Sequence, residues 1–210
     1  MKEILFNKNF TCVAVSKTKP VEEISKIYDL GHKDFGENKV QELELKFNRL
    51  PKDIRWHMIG HLQTNKVKKV VAIASLIHSV DSLKLLKVIN KESKKINKKI
   101  DCLIQVNISN ENSKFGFLKK DLEFLNEEFL NEFKNIRIRG LMGMASFSND
   151  NNLIKKEFEF LKMIFDEFHK KLSNFDILSM GMSNDFKIAL ETGSNMVRIG
   201  SKIFGERNYH

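Results

Sequence analysis

The stretch VAVSKTKP, residues 13–20, carries an apolar run straight into a lysine, Lys17. A lysine at the end of a buried strand loses part of its hydration and lies near other cations. Both effects lower the pKa of its ammonium and free an amine able to form an imine with an aldehyde. Two later stretches, MGMSND (180–185) and RIGS (198–201), join a glycine to a hydroxyl: Gly181 with Ser183, and Gly200 with Ser201. Glycine lets a backbone approach closely and serine adds a donor, which suits an anionic group; tight turns with N-cap serines are the plainer account. Arg198 is the third unusual residue, a guanidinium within the run NMVRIGSKIF. Such an arginine either snorkels outward between helices or points inward, where it needs an acceptor such as a cofactor's ring nitrogen.

One small molecule answers all three features. Pyridoxal 5'-phosphate brings an aldehyde for Lys17, a pyridine nitrogen for Arg198 and a phosphate for the Ser183 and Gly200–Ser201 turns.

Something must hold these residues on one face. Eight short strand-like runs recur along the chain: TCVAV from 11, DFGEN from 34, WHMIG from 56, LIHSV from 76, CLIQVNI from 102, IRGLMGM from 138, ILSMGM from 177 and MVRIG from 196. Most are apolar at consecutive positions, as strands of a parallel sheet covered on both faces are. Helical patterns separate them: Val21, Ile24 and Ile27 closed by Gly31; Val40, Leu43, Phe47 and Leu50; Val67, Val70 and Val71; and KKEFEFLKMIFDEFHKKL. Asn38 and Thr64 stand at N-cap positions, Asn38 with Gln41 three residues on in the manner of a capping box. Eight strand–helix units of about 26 residues make an α/β fold, a single-domain (β/α)8 TIM barrel over residues 1–210. A doubly wound open sheet competes, but no G-x-G-x-x-G follows the first strand. In a barrel the strand ends gather Lys17, Glu37, Asn38, His61, Ser79, Asp81, Asn107, Ser183, Asn184 and Ser201 on the functional face.

The net charge of +9 steers anionic ligands inward, yet the lysines are dispersed on helical faces such as KESKKINKKI and arginine is scarce, which argues against a nucleic-acid partner. The longest uncharged apolar run, VVAIASLI, is too short to span a membrane, and MKEILFNKNF lacks a signal-peptide core, so a cytoplasmic location is expected. Cys12 and Cys102 lie in separate apolar runs and read as buried free thiols, with no metal site. No apolar stripe stands out on the helical segments, so a monomer is expected.

AVSKTKP, FGENKVQE, WHMIGHLQTNKVK, IHSVDS, VNISNENSKFG, IRGLMGM, LSMGMSND and MVRIGSKIFGER together resemble the pyridoxal phosphate homeostasis proteins, relatives of the N-terminal barrel of alanine racemase. The resemblance implies a fold-type-III barrel in which Lys17 holds pyridoxal 5'-phosphate as a Schiff base. It further implies that Asn38 contacts the ring substituents, that Ser183, Gly200 and Ser201 bind the phosphate, and that Arg198 faces the pyridine nitrogen; His57 is counted with this cofactor-binding set. Family members often carry threonine where Ser201 stands, and usually a longer helix ahead of the first strand.

The same resemblance implies a carrier that stores or delivers the aldehyde within the cell, with little or no turnover and with apo-enzymes as possible recipients. A racemase needs two bases on opposite faces of the substrate carbon, and the only tyrosines are Tyr28 and Tyr209. An arginine opposite the pyridine nitrogen also weakens the ring as an electron sink. A small enzyme, a residual racemase or lyase, is the alternative; it would need a second acid or base, for which His57, His61 and His78 are candidates. A phosphate-binding barrel without the cofactor, or a basic RNA-associated protein, is a third.

Overall fold

The computed structural model describes residues 1–109 and 115–205. Tyr209, the middle of the block VNISNENSKFG (residues 110–114) and the end of MVRIGSKIFGER (206–207) lie outside the described residues. Eight parallel strands close on themselves: β1 (Thr11–Val15), β2 (Asp34–Glu37), β3 (Arg55–Met58), β4 (Leu76–Val80), β5 (Ile100–Val106), β6 (Ile136–Gly143), β7 (Ile177–Met182) and β8 (Met196–Ile199), with β8 paired to β1. After a single helical turn, α1 (Lys2–Leu5), come α2 (Val21–Asp29), α3 (Val40–Arg49), α4 (Val67–Ile73), α5 (Leu83–Lys95), α6 (Glu127–Glu132), α7 (Asn151–His169), α8 (Phe186–Glu191) and α9 (Ser201–Phe204). The eight strands fall on the eight expected runs, and the barrel excludes the open-sheet alternative.

Consecutive apolar residues are needed because successive side chains face two different cores. Cys12, Ala14, Ile77, Cys102, Ile104, Leu141, Leu178, Val197 and Ile199 point outward into the layer under the helices. Their neighbours Val13, Leu76, Leu103, Met142 and Met196 point into the barrel and form a second, smaller cluster. Burial pushes the Cys12 thiol up to about 12, and both cysteines are buried and unbridged.

Two expected caps are corrected. The chain stays extended through Lys39, and α3 begins at Val40 with no side-chain cap, so Asn38 stands a residue too early to reach its amides. Thr64 is already inside a short 3₁₀ turn, Thr64–Lys66, that leads into α4. Caps do form elsewhere: the Ser82 hydroxyl accepts from the Leu85 amide, and Asp150 accepts from Asn152 and Leu153. On the surface, α7 exposes Leu153, Phe160 and Met163 on one side of the helix, interspersed with exposed Lys156 and Glu167.

The β5–β6 ladder skips a residue at Arg139, which pairs outward with Asp101 and Asp176. Gly140, next in line, has φ +149° and its missing Cβ would lie 1.8 Å from the Ile177 carbonyl oxygen. Gly140→Ala is therefore expected to lower the unfolding free energy by more than about 2 kcal/mol, read as a fall in the urea midpoint. An unchanged midpoint would contradict this packing.

Candidate functional site

The end of β1 is held by a buried ammonium. Lys46, on α3 and 3% exposed, donates to the Ser16 carbonyl at 2.8 Å, to Glu37 Oε1 at 2.7 Å and to Glu42 Oε2 at 2.9 Å. Ser16 also gives its hydroxyl to Glu37 Oε1 at 2.6 Å, and the Thr18 amide donates to Glu42 Oε2 at 2.7 Å. The residues on both sides of Lys17 are thus tied to one charge cluster. Thr18 adopts φ +66°, a left-handed turn that a non-glycine residue holds only when its surroundings enforce it. Burial pushes the Glu37 carboxyl up, opposed by the Lys46 charge; burial also raises Glu42, but hydrogen bonds from Lys46 and Thr18 bring it below the usual carboxylate range. Lys17 itself is half-buried at the mouth.

The turns after β7 and β8 close on this point. Gly200 lies against β1: its missing Cβ would stand 3.3 Å from the Val15 carbonyl oxygen, two residues before Lys17. Its amide donates to Ser183 Oγ at 3.2 Å, so the two predicted turns touch each other. Ser201 opens α9 and is exposed, and the Lys19 ammonium donates to the Phe204 carbonyl at the far end of that helix at 2.8 Å. Gly181 has φ +98°, and a Cβ there would meet that of Ala189 at 2.6 Å.

Arg198 points inward, which resolves the choice left open by its sequence. Its NH1 donates to the Ser179 carbonyl at 2.9 Å and hydroxyl at 2.7 Å, and NH2 donates to the Gly143 carbonyl at 2.9 Å. The Nε–H and one NH2 hydrogen take no part in these bonds. Burial lowers its pKa to about 10, which leaves it a cation at neutral pH.

The remaining predicted residues divide. Asn38 is half-buried beside Gly60, where a Cβ would stand 2.3 Å from the Asn38 carbonyl oxygen; the Gly60 carbonyl in turn accepts from Ser79. His57 has both ring nitrogens engaged, Nδ1 with His78 at 2.9 Å and Nε2 with Asp34 at 3.2 Å, so neither nitrogen is open to a ligand. His78 is fully buried and held neutral by that burial. His61 differs: it pairs with Asp81 at 2.8 Å and stacks on Phe115 at the rim.

The site therefore offers an amine on a clamped strand end, a glycine–serine turn suited to an anion, and a buried guanidinium with donors left for a neutral acceptor. Sequence reasoning missed Lys46, Glu42 and Ser179. Glu42 and Lys46 are one helical turn apart, and Ser179 interrupts an apolar strand, so both carried a signal.

Lys46→Met is expected to cost about 3–5 kcal/mol of stability at pH 8, because it strands the Glu37 carboxylate without a counter-charge. A raised carboxyl pKa in the folded state favours the protonated form, so the deficit should shrink as the pH falls toward 5. Denaturant titrations of the variant at both pH values test the sign.

The family model of the alanine racemase N-terminal domain matches residues 1–208. The pyridoxal phosphate homeostasis protein of Aquifex aeolicus is 40% identical over 199 residues, 94% of this chain and 87% of that protein. The human protein of that name is 40% identical over 210 residues, 94% of this chain and 76% of its own length. PipY of Synechococcus elongatus PCC7942, solved with pyridoxal phosphate (PLP) bound, superposes with a TM-score of 0.86 at 30% identity, over 95% of this chain and 94% of that one. An alanine racemase of Clostridium difficile, 16% identical, shares the fold alone, with a TM-score of 0.73 over 99% of this chain and 55% of that one. The chain belongs to the alanine racemase N-terminal domain family, among the pyridoxal phosphate homeostasis proteins.

Proposed function

We propose that this chain binds pyridoxal 5'-phosphate through Lys17 and serves its homeostasis in the cytoplasm, with little or no turnover of its own. The observation that carries the reading is the convergence of the clamped Lys17 end of β1, the Ser183–Gly200 contact and the free donors of Arg198. Bound there, the cofactor supplies an aldehyde for the Lys17 amine. Ser183, Gly200 and Ser201 would hold the phosphate, Asn38 the ring substituents, and Arg198 the pyridine nitrogen. The PLP-bound PipY structure and the names of the relatives support the same reading.

Low turnover is favoured by two features. Arg198 keeps its positive charge at neutral pH and so disfavours a second proton on the ring nitrogen. Tyr28 bonds Asp53 at 2.7 Å, and Asp53 lies just ahead of β3, at the end of the barrel opposite the mouth, so Tyr28 supplies no base there.

The enzyme alternative retains one candidate, the rim pair His61 and Asp81, with a half-exposed imidazole.

The loaded protein should show a violet absorption band, and borohydride reduction should place the cofactor's mass on Lys17. Lys17→Ala should lose both. If the wild type gains neither, the reading fails. Turnover of alanine at about 1 per second or faster, lost in His61→Gln, would instead favour the enzyme.

A further inference from the structure

Inside the barrel, beside the apolar cluster, a chain of polar side chains forms one line of hydrogen bonds. Arg55 binds Asp34 through Nε at 2.7 Å and through NH2. Asp34 Oδ1 meets His57 Nε2, and His57 Nδ1 meets His78 Nε2. His78 Nδ1 then reaches across the lumen from β4 to β7, meeting Ser179 Oγ at 3.1 Å. Ser179 Oγ accepts from Arg198 NH1 at 2.7 Å. The line draws on β2, β3, β4, β7 and β8, and it ends on the guanidinium assigned above to the ring nitrogen.

With a neutral His57, the protons in this line have one consistent arrangement. Arg55 and His57 keep Asp34 ionised against the cost of its burial, so it can only accept. His57 Nε2 must then carry a hydrogen, which leaves Nδ1 of a neutral ring as an acceptor. His78 has to donate from Nε2, and its own Nδ1 accepts the Ser179 hydroxyl hydrogen. The oxygen of Ser179 is thereby left with its lone pairs toward Arg198. The reverse arrangement needs a doubly protonated His57 and deprives the Ser179 hydrogen of the acceptor it has here. His78, fully buried and beside the Arg198 charge, is held neutral and so carries a single ring hydrogen, whose position His57 decides.

We propose that Ser179 and His78 are positioning residues for Arg198, locked by His57 and Asp34 into a one-way hydrogen-bond relay that aims the guanidinium's free donors at the cofactor site. Two ordinary features combine to produce it. Arg198 is gripped by two carbonyls, which fix where it sits, while the hydroxyl of Ser179 fixes the plane in which it lies. A serine hydroxyl can rotate, and His78 Nδ1 gives its hydrogen an acceptor on the side away from Arg198.

The cofactor readout rests on the function proposed above; the proton arrangement does not. Nitrogen-15 NMR of the ligand-free protein, labelled on histidine, should show His57 and His78 both neutral and both protonated on Nε2 at about pH 7.5. A His78 hydrogen on Nδ1, or a doubly protonated His57, would overturn the relay. In the loaded protein, Ser179→Ala should weaken pyridoxal 5'-phosphate binding about tenfold and shift the violet band, with Ser179→Thr restoring both. A folded Ser179→Ala protein with unaltered affinity and band would overturn the positioning role, and a merely structural role would lower the melting temperature alone. If the alanine variant fails to fold, the wild-type NMR pattern still decides the relay. A wild type that gains no violet band refutes the cofactor reading, while the ring-nitrogen pattern tests the proton arrangement separately.

Discussion

A buried ammonium with three oxygen partners governs the geometry of the mouth. Lys46 would destabilise the fold if left alone, since several kcal/mol are needed to remove an ammonium from water. Its partners remove that cost only if Glu37, Glu42 and the Ser16 carbonyl are all in place. Because Glu37 ends β2, Ser16 follows β1 and Lys46 projects from α3, the cluster joins one complete strand–helix unit to its neighbour. Lys17 lies between two residues of that cluster, and the left-handed turn at Thr18 belongs to the same constraint.

The barrel separates its cations by purpose. Arg55 and Arg139 neutralise carboxylates near the strand beginnings, at half-exposed positions where the bonds fix strand order more than they add stability. Arg198 is different, being buried and bonded, among the described residues, to neutral oxygens. His61 and Asp81 pair with each other at the ends of β3 and β4.

Closeness of unrelated segments is what makes the site. Val15 and Gly200 touch because β8 returns to pair with β1, and Gly200 meets Ser183 because β7 and β8 are neighbours whose register shifts near their ends. The glycines at 181 and 200 matter for this reason: a side chain at either would press on Ala189 or on the β1 backbone and widen the gap. An open groove of about 800 Å³ beside α7, bordered by Lys162, Met163, Lys170 and Thr192, lies on the outer wall and takes no part in the mouth.

Most of the eight strands were legible in the sequence because double-sided burial demands consecutive apolar residues; β2, with Asp34, Gly36 and Glu37 around Phe35, is the exception in composition. Lys17 and Arg198 were legible for a related reason, as charges in places where a charge needs a partner. The inward direction of Arg198 was not legible, since strand parity depends on register and the ladder shifts between Ser179 and Met182. Nor were the caps: Asn38 has the right residue type, but the chain turns only after Lys39. Sequence alone marked Lys17 and Arg198 as charges in apolar surroundings and pointed to the closed barrel. Only tertiary structure decided that His57 bonds His78 and Asp34 in the interior, that His78 meets Ser179 from 101 residues away, and that Lys46 and its partner Glu42 each hold one flank of Lys17. Those bonds join residues on different strands and helices, and no local pattern records which partner a buried polar group will meet once the barrel closes.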